Sequence, residues 1–367
     1  MPCFAFESNL ARWESPLGRS LTGEVGPPAR SFELFRRKTD MRFRKFGGLG
    51  WDVSEIGLGT WALGSNWGPQ DDSESVRTLH AALDAGCNFI DTARAYGDGR
   101  SERLIAQALK QWPRSDQVYV ATKVPPLVNP DWLPTPYQSW EEKFPEQHIR
   151  SEVDKSLRDL NSDCIDLVQI HTWSRAWNKN PVPCQILRDL QSQGKLRAIG
   201  VSTPEIDQNS VIDLMRLRCV DSVQVIYNLF DQEAQAEIFS TALEYGVAVI
   251  VRVALDESSL TGKLTNQTSF PEGDIRGSYF AGDRLQRTVD RVEKIRSLVG
   301  SEEASLVAAA LKFALKPPAV STVIVGSRTA QQAKVNCAVG CEPQMSDDLE
   351  HKLRGHNWRR SFWYAGK

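Results

Sequence analysis

Eight short apolar runs, each followed by a helical spacing of apolar residues, limit what this 367-residue chain can fold into more than any other feature. The runs lie at 55–59, 88–91, 118–123, 165–171, 196–202, 222–227, 248–253 and 320–325. Each has the length and composition of a strand. Between them, apolar residues recur at intervals of three and four, as at Val76, Leu79 and Leu83, or at Val307, Leu311 and Leu315. That spacing covers one face of a helix. Strands alternating with helices build a parallel sheet. Eight repeats predict an α/β chain, a (β/α)8 TIM barrel. An open doubly wound sheet is the alternative, but no Gly-x-Gly-x-x-Gly follows the first run.

A hairpin is expected at 43–53, turning through Gly47-Gly-Leu-Gly50. Residues 1–40 contain Pro16, Pro27 and Pro28, lack clear periodicity and lack the apolar stretch of a signal peptide. They read as a poorly ordered N-terminal extension, with Met41 as a second plausible start and the barrel spanning 41–367. Long loops at 125–144, 172–181 and 254–284 follow the third, fourth and seventh runs. Loops of that length in a compact domain usually carry function. They follow strand ends, where a barrel builds its active-site rim.

The formal charge of −2 argues against a nucleic-acid partner. No apolar run approaches the roughly 18 residues of a membrane helix. The seven cysteines include no Cys-x-x-Cys pair, so they read as reduced thiols of a cytoplasmic protein. Cys337-x-x-x-Cys341 has no histidine nearby, and no metal site is expected. No interface pattern indicates an oligomeric state. The expected partner is a small molecule.

Three runs end in residues that move protons. Phe89-Ile-Asp91 ends in an acid, with Tyr96 five residues on. The third run ends in Lys123 and the fourth in His171. Separately, each has a bland reading: Asp91 as a cap, Tyr96 as a turn residue, Lys123 and His171 as solvated strand ends. Together, at successive strand ends of a barrel, they point to catalysis. Tyr96 is a proton donor near neutral pH. Lys123 is expected to lower its pKa, Asp91 to hold Lys123, and His171 to donate to an oxygen gaining negative charge. The set suits carbonyl reduction.

From about Met41 onward the chain resembles the aldo-keto reductases. The resemblance rests on Asp91-Thr-Ala-x-x-Tyr96-Gly-x-Gly-x-Ser101-Glu102. Supporting it are Ile56-Gly-Leu-Gly-Thr-Trp61, Gly194-Lys-x-Arg197-x-Ile-Gly-Val-Ser202, Gln224-x-x-Tyr227-Asn228 and Leu260-Thr-Gly-Lys263. It implies a (β/α)8 barrel using NADPH, sometimes NADH, with Asp91, Tyr96, Lys123 and His171 as catalytic tetrad. It further implies that Gly59, Thr60 and Trp61 line the cofactor and substrate mouth, and that Ser202 and Gln224 hold the carboxamide. Arg252 and Leu255 would border the cofactor from the loop after the seventh run. Gly326, Ser327, Arg328, Gln332 and Asn336 would receive the adenine and 2′-phosphate. A helix N-terminus beside Arg328 suits a phosphate, which favours NADPH over NADH.

Two departures stand out. Thr203 replaces the family's asparagine, and Arg252 replaces the aromatic that stacks on nicotinamide. A guanidinium also stacks on rings, and its charge would bias the site towards reduction. Val253 and Ala254 replace the usual Ser-Pro. Trp61, Trp132, Trp140, Trp173 and Trp177 either wall the substrate pocket or pack its loops. Arg175 and Lys179 would meet an acidic substrate if they faced it. The resemblance leaves two alternatives open: an NAD(P)+-dependent sugar or alcohol dehydrogenase, and a cofactor-loaded regulatory subunit.

Overall fold

The computed structural model of the protein describes residues 40–64, 67–358, 360 and 362. Residues 1–39, nearly all of the expected extension, lie outside the described residues. Ten strands follow: β1 (Phe43–Lys45), β2 (Asp52–Ser54), β3 (Ile56–Gly59), β4 (Phe89–Asp91), β5 (Tyr119–Val124), β6 (Ile165–Ile170), β7 (Leu196–Ser202), β8 (Ser222–Ile226), β9 (Ala248–Arg252) and β10 (Val320–Gly326). Strands β3 to β10 are parallel and pair in chain order. The barrel closes where β10 meets β3, with Val323 opposite Ile56. This is a (β/α)8 barrel, with helices such as Asp72–Asp84, Arg100–Gln111 and Glu146–Leu160 around it.

The strands depart from their expected ends for local reasons. Glu55 lies just outside the first strand, where its N–H donates to the Arg42 carbonyl at 2.9 Å and its carboxylate meets Arg42 and Arg44 at 2.7 Å. Strand β9 stops at Arg252 because Val253 takes φ +58°, outside the extended region and unusual for a β-branched residue.

Strands β1 and β2 form the expected antiparallel hairpin, with Phe43 opposite Ser54. It plugs the barrel's N-terminal end. Trp51 stacks on Phe46 at 5.5 Å and on Tyr119 at 4.8 Å. Around this plug, Phe89, Leu167, Ala198 and Ile250 fill the lower interior. A larger core lies between the barrel and its helices.

Side chains alternate across a strand, so residues two apart share a face. The face carrying Phe89 continues to Asp91. The face carrying Tyr119 continues through Ala121 to Lys123. Leu167 leads through Gln169 to His171, Ala198 to Ser202, and Ala248 to Arg252. The same periodicity that packs apolar residues at the bottom of the barrel therefore delivers polar ones to its C-terminal mouth.

Candidate active site

Asp91 and Lys123 form a buried ion pair at the mouth. Lys123 Nζ donates to Asp91 Oδ1 at 2.5 Å and to the Thr92 carbonyl at 2.8 Å. Asp91 Oδ2 accepts from Gln224 at 2.8 Å and from Gln169 at 3.3 Å. A buried charge needs such partners on every side. Burial pulls the Lys123 ammonium below its usual value, while Asp91 holds it up. Sequence reasoning missed Gln169, although it sits two residues before His171 and so shares its face.

Tyr96 stands on the turn between β4 and the helix Arg100–Gln111, and two glycines make room for it. A Cβ on Gly64 would lie 2.8 Å from the Tyr96 Cβ and carbonyl oxygen. Gly97 takes φ +67° and packs against the Gly64 carbonyl. Gly64→Ala is therefore expected to displace Tyr96 and lower turnover on the order of 10–100-fold. Cofactor affinity should change little. Wild-type kcat in this variant would show that the close approach does not position the phenol.

The Tyr96 ring lies 5.2 Å from Lys123 Nζ, 5.9 Å edge-on to His171 and 6.2 Å from Trp61. Burial pushes its phenol well above the usual value, and Asp91 pushes the same way. Arg252 pulls it down. Lys123 also stands beside the ring, with its charge paired to Asp91. Burial, then Lys123 and Arg252, holds His171 well below the usual histidine range. Its imidazole is neutral at physiological pH and retains one N–H to donate.

Asp91, Tyr96, His171 and Arg252 open onto a cavity of about 870 Å3. Tyr96, His171, Trp61, Trp132 and Trp67 line one part of its wall. Trp132 meets His171 edge-on at 5.0 Å, and Trp67 meets Trp61 edge-on at 5.9 Å. Trp67 was not foreseen. Trp173 and Trp177 are buried against each other at 5.3 Å, so they pack their loop and do not wall the cavity. Trp140 packs against the core. Arg175 is exposed and pairs with Asp207 at 2.6 Å, and Lys179 is also exposed. Neither lines the cavity.

Gly59, Thr60, Ser202, Gln224, Arg252, Leu255, Gly326, Arg328, Gln332 and Asn336 all line the cavity. Ser327 does not. It is buried beneath the loop, where its hydroxyl accepts from Asn336 at 3.0 Å. Gln224 spends its amide N–H on Asp91, which leaves its carbonyl oxygen for a ligand. Thr203 donates its hydroxyl to the Gln224 backbone carbonyl at 3.1 Å. Arg252 Nη2 binds both the Thr203 carbonyl and Glu205 at 3.0 Å.

The helix Ala330–Ala338 departs from expectation at its N-terminus. The Ala330 N–H is already held by the Glu74 carboxylate at 3.0 Å, and Thr329 caps Gln332. A carboxylate already occupies this helix end, and Arg328 is the cation that lines the groove beside it. That guanidinium meets Gln70 at 3.1 Å and the Pro69 carbonyl.

The groove fits a nicotinamide dinucleotide on one further observation. His171 Nδ1, Thr172 Oγ1 and Arg252 Nε are buried in its wall with no hydrogen-bond partner. Buried polar atoms are normally satisfied, and orphans in a groove wall point to a ligand. Among the described residues, no group of three or more His, Cys, Asp or Glu could hold a metal ion.

The family model described as Aldo/keto reductase family matches residues 55–356. The aldo-keto reductase YhdN of Bacillus subtilis is 32% identical over 301 residues, covering 80% of this chain and 86% of that relative. An NADH-specific methylglyoxal reductase of Escherichia coli is 30% identical, covering 78% and 89%. The solved structure of the glycerol dehydrogenase AKR11B4 from Gluconobacter oxydans superposes with a TM-score of 0.69. It is 29% identical and covers 86% of this chain and 94% of that one.

Proposed function

This chain belongs to the aldo/keto reductase family, and from that premise we propose that it reduces an aldehyde or ketone to the alcohol, with NADPH preferred and Tyr96 as proton donor. The bound nicotinamide supplies a hydride to the carbonyl carbon. Tyr96 gives its proton to the carbonyl oxygen, since its phenol stays protonated across the physiological range. Neutral His171 donates a hydrogen bond to the same oxygen and steadies its developing charge. Lys123 and Asp91 fix the electrostatics beneath the ring. The observation that carries the reading is that Asp91, Tyr96 and His171, with Lys123 buried behind them, open onto a groove with orphaned polar atoms.

Trp61, Trp67 and Trp132 around Tyr96 favour an apolar or aromatic carbonyl. Arg328 favours the 2′-phosphate of NADPH, although one relative is described as NADH-specific. Arg328→Ala is expected to weaken NADPH binding on the order of 10–100-fold. Charge-assisted hydrogen bonds contribute about 1.5–3 kcal/mol. NADH binding should barely change, and an equal loss for both cofactors would overturn the assignment.

No helix among the described residues is long and apolar enough to cross a membrane. The six cysteines among them are free, which supports a cytoplasmic reading. The test of function is carbonyl-dependent loss of NADPH absorbance with a panel of aromatic aldehydes, methylglyoxal and aldoses. The reaction is run in both directions, which separates reductase from dehydrogenase. Tight NADPH binding without turnover on any of them would favour a cofactor-loaded regulatory subunit instead.

A further inference from the structure

Glu257 is 6% exposed, lines the groove, and accepts no hydrogen bond from any described residue. Its neighbour Asp256 is fully engaged. Tyr279 and Arg360 donate to Asp256 Oδ1, the tyrosine at 2.9 Å, and Ser259 donates to Oδ2 at 2.6 Å. Asp256, Glu257 and Ser258 all take left-handed φ values, +45°, +49° and +78°. Three successive non-glycine residues in that region are costly, and such strain gathers at ligand sites. The fold thus holds an unpartnered carboxyl against the groove on a strained and well-anchored turn.

What the carboxyl faces follows from its place in the barrel. Strand β9 stands between β10, whose loop carries Arg328, and the strands bearing Gln224, Ser202 and His171. A dinucleotide reaching from Ser202 and Gln224 to Arg328 passes the loop after β9 with its middle, which is its diphosphate. Arg252, Lys263 and Arg276 line the same stretch and suit phosphate. An ionised carboxylate there would repel it.

We propose that Glu257 meets the diphosphate as a neutral carboxylic acid, donating its proton to a phosphate oxygen, so that cofactor binding is proton-linked. This rests on the nicotinamide-dinucleotide reading of the groove. Burial, and then Asp256, pushes the Glu257 carboxyl up to about 8, with Glu205 adding to the push. Arg252 from β9 and Arg276 from the helix Ile275–Tyr279 pull it down. At pH 7 the acid is protonated and ready. A phosphate oxygen favours the protonated form and raises its pKa further in the complex. Between those two values, binding takes up as much as one proton, and affinity falls up to about tenfold per pH unit. The 2′-phosphate adds nothing to this, since the second pKa of a phosphate monoester is about 6.

The test is calorimetric titration of the full chain with NADPH at pH 7, 8 and 9, each in two buffers of different ionisation enthalpy. Wild type should take up almost no proton at pH 7 and a growing fraction at pH 8 and 9, with a rising Kd. Glu257→Gln should bind NADPH with no uptake at pH 9 and a flat Kd. Wild type binding NADPH without uptake at pH 9 overturns the proposal and leaves the cofactor reading standing. Equal uptake in Glu257→Gln overturns it as well, since another group is then titrating. No binding of NADPH or NADH at any pH overturns the cofactor reading and the proposal together.

Discussion

Tyr96→Phe is expected to lower kcat by about 10²–10⁴-fold, the usual contribution of a positioned general acid, while NADPH binds with nearly unchanged affinity. The hydroxyl is the only atom removed. The ring keeps its contacts with Trp61, His171 and the Lys123 ammonium. Fold and groove should therefore persist. Because burial holds the phenol well above its usual value, wild-type turnover should show no loss from tyrosine ionisation up to pH 9. Because His171 stays neutral far below its usual range, no histidine step should appear between pH 6 and 7. Steady-state rates and a fluorescence titration with NADPH check all of this. Loss of both turnover and cofactor binding in a folded variant would show that Tyr96 supports the cofactor and is not the acid.

The catalytic mouth was legible because two local rules coincide. An apolar run ending in a polar residue marks a strand end, and alternation puts that residue on the face of the apolar one before it. Asp91, Lys123 and His171 all obey both rules. Gln169 obeys the second, but its position inside a run disguised it as strand filler. Other features depend on contacts between distant segments, and no local pattern carries them. Glu74 reaches Ala330 across 256 residues, and Gln70 reaches Arg328 across 258. Ser327 turned inward because Asn336, nine residues on in the following helix, offered it a partner. Trp173 and Trp177 looked identical to Trp132 in sequence. Only the packing of their loop against Phe144 separates wall from filler. Glu257 carries no local signal in its long loop, since its importance lies in lacking a partner.

Lys123→Met should destabilise the protein by about 3–5 kcal/mol, the cost of removing one partner of a buried ion pair, and lower turnover by about 10²-fold or more. The stability loss arises from Asp91, not from missing contacts of the lysine stem, which methionine largely restores. Without the ammonium at 2.5 Å, the Asp91 carboxylate keeps only the two glutamine amides. A buried charge stripped of its cation is what makes the loss large. Adding Asp91→Asn removes the orphaned charge. The double variant should recover most of the stability and none of the turnover. Urea midpoints for the two single variants and the double variant measure this coupling directly. A Lys123→Met protein as stable as wild type, with no gain from the second change, would show that the ion pair contributes nothing to the fold. The lysine would then act through the electrostatics around Tyr96 alone.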